Sequence, residues 1–193
     1  MNLRKYGWLF WTTLVVGGIG GLLGGFLVAR EELLAGTVGN FFIGMLVNLL
    51  VGLTISVLAQ MGFFAYMTLN YLMLSFLRSN TLWKGIQIFL ILFAAFDMVY
   101  LRYTFYGGEI GQYIVEPLLL LFVSVVAGIA KVKLTNGTAF VPTVFFLFVV
   151  TAVEWVPALQ QNNIRSILFM VIPLLFCNVW QVMQLHRLVK QES

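Results

Sequence analysis

Charge is scarce in this chain. Acidic and basic side chains together make up 9% of its 193 residues, against about a quarter in an average soluble domain. That shortfall excludes an ordinary soluble globular protein. A single cysteine, Cys177, excludes an intrachain disulfide, and its place deep in an apolar run reads as a small buried residue. A single histidine, His186, rules out a histidine-rich metal centre, and no H-E-x-x-H occurs. The phosphate-cradling G-x-x-x-x-G-K-[ST] and the nucleophile elbow G-x-S-x-G are missing as well. The net charge of +4 is too small for a nucleic-acid footprint. No catalytic residue, metal or cofactor is expected, and the chain reads as non-enzymatic.

What remains is apolar. Hydrophobic residues make up 61% of the chain, and the mean hydropathy is +0.99. Crossing the hydrocarbon of a bilayer takes about 20 apolar residues in a helix. Segments of that kind run over 8–29, from 41 onward, and over 86–105, 111–130, 138–157 and 164–183. The first is too long for the apolar core of a cleaved signal peptide, about 7–15 residues, so it reads as a retained helix. The fold class expected is all-α integral membrane. It is a polytopic bundle of about six transmembrane helices forming a single domain over 1–193, with the lipid bilayer as its first partner.

The second segment is too long for one crossing. Apolar character persists to Leu77, which as one helix is about 55 Å against a hydrocarbon core of about 30 Å. Either the chain turns near "AQMGFF", where Gln60 and Gly62 offer a break, or one helix crosses and then continues along the interface. Thr68, Asn70, Ser75 and Arg78 favour the second course, with an interfacial helix at 64–82.

Lysine and arginine set the orientation. With six crossings and the N-terminus inside, Arg4, Lys5, Arg78, Lys84, Lys131, Lys133, Arg187 and Lys190 fall on the inner side, and Arg30, Arg102 and Arg165 on the outer. That asymmetry follows the positive-inside rule. It places both termini in the cytoplasm, with "REELLAGTVGN" and "QQNNIR" outside.

The first segment carries "VVGGIGGLLGGFLV". Six of its fourteen residues are glycine, each costing about 1 kcal/mol relative to alanine in a helix interior. At 100° per residue, Gly17, Gly18, Gly20, Gly21, Gly24 and Gly25 lie within about 160° of one another. They form one smooth strip, with Gly17-x-x-x-Gly21-x-x-x-Gly25 a doubled small-xxx-small pattern. In lipid, close backbone approach supplies packing energy that the hydrophobic effect cannot. The strip is a helix-packing surface. It serves contacts within the chain, with another protein's helix, with a second copy or with lipid.

Six of the seven acids sit in the outer half: Glu31, Glu32, Asp97, Glu109, Glu116 and Glu154. Asp97 lies inside the third segment, where an ionised carboxylate costs about 3 kcal/mol. It is either a structural partner in an ion pair or hydrogen bond, or a functional group. Arg102 is nearest in sequence but about 140° around the helix, with Arg30 and Arg165 at similar depth. Glu116 before Pro117 reads as a helix start. Glu154 lies near the outer end of the fifth segment, and Pro173 is expected to kink the sixth. Asp97, Arg102, Glu116 and Glu154 are the intramembrane ion-pair candidates.

The stretch "AQMGFFAYMTLNY" followed by "LWKGIQIFLILFAAFDMVYLRY" resembles the KinB-signalling pathway activation protein family of spore-forming Bacillus-like bacteria. The resemblance is densest over 56–103. It implies a small multi-pass cell-membrane protein acting in sporulation initiation, which promotes a membrane sensor kinase feeding the sporulation phosphorelay. The partner implied is that kinase or its lipoprotein partner, and the family brings no catalytic residues. The competing reading is a small transporter or lipid-binding protein with Asp97 and Glu154 lining an outward-facing acidic cavity. The absence of an inverted repeat counts against it.

Overall fold

A computed structural model describes residues 3–28, 30, 37–159 and 164–189. Glu31, Glu32, Lys190, Glu192 and most of the two outer loops named above lie outside them. The helices in chain order are α1 (Leu3–Val28), α2 (Val38–Leu77), α3 (Asn80–Tyr106) and, after a 3-10 turn at Ile110–Tyr113, α4 (Val115–Leu134). A second 3-10 turn, Gly137–Ala139, leads into α5 (Phe140–Phe145). The chain then passes through a π-helical segment (Phe146–Val150) into α6 (Thr151–Leu159), and α7 is Ile164–Val189. Among the described residues, six helical stretches are long and apolar enough to cross a membrane: Arg4–Val28, Val38–Leu77, Asn80–Tyr106, Ile110–Leu134, Gly137–Val156 and Arg165–Leu188.

The interfacial helix expected at 64–82 does not exist as a separate element. α2 runs unbroken for 40 residues, about 60 Å, and the chain turns at Arg78–Ser79 instead of near Gly62. Nothing before Leu77 stops the helix. There is no proline, and Gly62 receives a neighbouring side chain instead of opening a turn. At the real stop Arg78 adopts the left-handed region, φ 51°, and its N–H donates to the Leu74 carbonyl at 3.1 Å. Ser79 then caps α3, its hydroxyl accepting from Leu82 N–H at 3.3 Å. A left-handed residue followed by a serine cap reverses the chain in two positions.

Contacts gather the chain into two compact units, one of Met1–Met61 with Gln161–Ser193, the other Gly62–Gln160. In the first unit, α1 packs antiparallel against α7 and the opening part of α2. A core of Ile55, Ala59, Leu174 and Cys177 lies beside half-buried Val51 and Met170. Trp180 Nε1 donates to Thr12 Oγ1 at 3.2 Å, and its ring lies 6.2 Å from that of Trp8. Pro173 sits inside α7 without interrupting it.

The second unit is built on aromatic packing. Phe63, Phe145, Phe146 and Phe148 are fully buried. The Tyr66 ring lies 5.1 Å from Phe146, and Trp83 lies 5.9 Å from Phe145. Trp83 Nε1 donates to Asn70 Oδ1 at 2.7 Å, and Tyr66 hydroxyl to the Pro142 carbonyl at 3.4 Å. The π segment falls within this core. Such single-turn insertions recur at functional sites. Hydropathy cannot reveal one, because the inserted turn is as apolar as its surroundings.

Candidate functional site

The charged residues come first, because a buried charge must be matched. Arg102 ends the inward stripe of α3 and is 5% exposed. Its Nη1 donates to Glu116 Oε2 in the first turn of α4, forming an ion pair across the hairpin. The guanidinium carbon lies 5.3 Å from the Tyr113 ring centre and 5.8 Å from that of Tyr106. Tyr113 hydroxyl donates to the Gly107 carbonyl at 2.9 Å. Gly107 and Gly108 carry φ of 66° and 86°, which only glycine adopts without strain. So the turn that glycine permits brings Glu116 onto Arg102 and lays two aromatic faces against the cation, a favourable electrostatic arrangement. Arg102 Nε is buried with no hydrogen-bond partner among the described residues.

Asp97 is not part of this arrangement. It is half-buried on α3, with no hydrogen bond or ion pair among the described residues. Glu154 belongs to a different contact. Its carboxylate Oε1 lies directly against the backbone of α2 at Gly62, where any Cβ would collide with it. Val150 is the next neighbour, 3.2 Å from the same Cβ position. Thus the glycine that offered an alternative break in the helix is the notch that admits a buried acid. Of the four candidate charges, the structure brings Arg102 and Glu116 together and leaves Asp97 and Glu154 apart from them.

The glycine strip lies in the first unit and meets two helices. Gly21 lies against the backbone of α2, where a Cβ would stand 2.6 Å from Gly52 Cα and would also strike the Asn48 carbonyl. Gly25 receives the Asn48 side chain, and Gly17 lies against Ser56. On the other side, a Cβ on Gly20 would lie 2.8 Å from Pro173 Cα, and one on Gly24 3.5 Å from Ile172 Cβ. Gly18 is looser, facing the end of the Leu49 side chain. Beside it an open apolar groove of about 570 Å³ runs between α1 and α2, lined by Trp11, Val15, Ile19, Leu22 and Leu53 among others.

Sequence reasoning passed over the buried neutral polar groups. Thr13, Ser56, Gln60, Asn178 and Gln181 are buried in the first unit, and Gln87, Ser124 and Thr143 in the second. A lone glutamine hardly moves a hydropathy average. The available signal was its recurrence on the inward stripe, as with Trp83, Gln87, Met98 and Arg102 on α3. Among the described residues, no three His, Cys, Asp or Glu side chains converge as metal ligands would.

Residues 14–188 match the family described as KinB-signalling pathway activation in sporulation. The chain is also 40% identical over 140 residues to a protein of Bacillus subtilis (strain 168) named KinB-signaling pathway activation protein, and the match covers 71% of each. No solved structure matches. The resemblance noted over 56–103 thus extends across nearly every described helix, and the chain belongs to the KinB-signalling pathway activation family.

Proposed function

We propose that this protein is a non-enzymatic, multi-pass membrane regulator that promotes a membrane sensor kinase pathway leading to sporulation initiation. The observation that carries the reading is the family match over residues 14–188, together with a relative named for activating that pathway. The six long apolar helices support the membrane location. So do the large side chains turned outward, such as Trp11, Phe76, Phe89 and Phe122, which a bilayer would cover. Both termini are cytoplasmic in this reading, by the lysine and arginine asymmetry. Contact with the kinase or its lipoprotein partner then runs through helices or short connections. The test is sporulation efficiency in a strain that depends on that kinase. Deletion should lower sporulation while growth continues. Normal sporulation in the deletion strain would sink the assignment.

Asp97 is the residue proposed to act beyond folding. It carries a carboxylate on an apolar helix and has no partner among the described residues. That leaves its charge available for a role beyond folding, which is what this reading assigns to it. Asp97→Asn keeps the size and removes the charge. The expected result is unchanged protein abundance with reduced sporulation in the same strain, read by immunoblot and spore counts. Full sporulation with normal abundance would remove Asp97 from the functional surface.

A further inference from the structure

Three helices of the first unit meet at Gly17. A Cβ there would press on Ser56 of α2 and lie 3.0 Å from Cys177 Sγ of α7. Both partners run antiparallel to α1. Gly21 lies by Asn48 where Gly17 lies by Ser56, and Gly24 lies by Ile172 where Gly17 lies by Cys177. One turn back along α1 therefore meets one turn forward along α2 and α7. That level holds Thr13, Gln60 and Gln181, each one turn of four residues from the Gly17 junction. Two contacts fix it: Gln60 Nε2 donates to the Phe10 carbonyl at 3.5 Å, and the Cys177 thiol to the Thr13 carbonyl at 3.8 Å.

All three side chains are at least nine-tenths buried. Each has hydrogen-bonding capacity with no partner among the described residues: Thr13 Oγ1, Gln60 Oε1, and both Oε1 and Nε2 of Gln181. An unpaired buried amide or hydroxyl is costly, and native proteins seldom leave one without protein or water. Here three helices each contribute one at a single level.

We propose that this level is a binding site for internal water. The unmet groups define the guest. The two glutamine oxygens need a donor, Gln181 Nε2 needs an acceptor, and the threonine hydroxyl takes either role. The guest must therefore both donate and accept. The three side chains that define the level are all neutral and offer no charge to balance an ion. The helices approach too closely at the neighbouring turn for a larger solute, a Cβ on Gly17 standing 2.8 Å from the Gly52 carbonyl oxygen. Water bridging several polar partners is the ordinary occupant of such a site. It joins α1, α2 and α7 without any direct bond between these three side chains.

Cys177 is the only thiol in the chain and lies one turn from the site, so it reports on water there. The full-length protein in lipid bilayers is moved into D2O, and the S–H infrared band is followed as it converts to S–D. The thiol should exchange at least about tenfold faster than the backbone amides of α1 and α7, which exchange only on helix opening. A Gln60→Leu/Gln181→Leu double variant should slow thiol exchange by about tenfold. If that variant fails to accumulate, the near-isosteric Thr13→Val must slow it in the same sense. Thiol exchange no faster than the helix amides would show a dry seam and overturn the proposal. So would fast exchange that persists in the apolar variants. The measurement is independent of the sporulation assay, so failure of one reading leaves the other standing.

Discussion

Gly21→Leu is expected to lower the amount of folded protein sharply, while Gly7→Ala, on the same helix, should be neutral or slightly stabilising. Both positions lie within α1. At Gly7 a Cβ would find nothing within 4 Å, so alanine brings its helix advantage of about 1 kcal/mol without a clash. At Gly21 a Cβ would meet only backbone, the Asn48 carbonyl and Gly52 Cα and N. Backbone cannot rotate aside as a side chain can, so α1 and α2 must separate. Overpacking a tight contact costs about 1–3 kcal/mol, and leucine adds three carbons beyond the Cβ. Gly18→Ala is the internal comparison, because the nearest atom there is the flexible end of Leu49, at 3.0 Å, and its effect should be small. Membrane abundance and the melting temperature in detergent are the readouts. A Gly21→Leu protein with both unchanged would show that the α1–α2 contact does not hold the fold. Unchanged abundance with lost sporulation would point to a contact outside the chain.

Glu116→Ala should destabilise the second unit by about 3–5 kcal/mol, the cost of leaving a buried cation without its partner. Arg102 is almost wholly enclosed, and Glu116 is the one carboxylate paired with it among the described residues. The facing rings of Tyr106 and Tyr113 offset part of the loss but cannot supply an acceptor. Arg102→Met should cost less, since Glu116 is closer to solvent, its side chain being 18% exposed. The Arg102→Met/Glu116→Ala double variant should then be more stable than Glu116→Ala alone, because no buried charge remains. A thermodynamic cycle over the four proteins, measured by thermal unfolding in detergent, should give a coupling of about 1–3 kcal/mol. Additive losses would mean that the two side chains do not depend on each other.

The helices themselves were legible from hydropathy because an apolar run of about 20 residues admits few alternatives. The segments expected at 86–105 and 164–183 lie inside α3 and α7, which extend beyond them at one or both ends. The polar ends of such helices carry no hydropathy signal. The bounds of the stretch expected at 64–82 differ for a related reason, because α2 carries it only to Leu77 and α3 begins at Asn80. Thr68, Asn70 and Ser75 are polar enough to suggest an interface, yet each fits a helix, and Thr68 Oγ1 simply bonds back to the Phe64 carbonyl at 3.0 Å. The stop signal was the pair Arg78–Ser79, and a left-handed arginine has no compositional mark.

The site residues divide the same way. Spacing alone placed the glycines on one strip, because 100° per residue is a property of any α-helix. Spacing also showed that Asp97 and Arg102 point apart. It could not choose Glu116 as the partner of Arg102, since that pairing depends on how Gly107, Gly108 and the 3-10 turn close the hairpin. Nor could it show that Gly21 and Gly25 meet α2, that Gly20 and Gly24 meet α7 and that Gly17 meets both, or that Gly62 admits Glu154. Composition and periodicity are local, and they determined an all-helical chain with six long apolar stretches and a smooth glycine face. Which charge meets which, and which helix fills the strip, are contacts between residues far apart in sequence. Those were decided only when the helices packed, because close approach and charge pairing depend on distance in space.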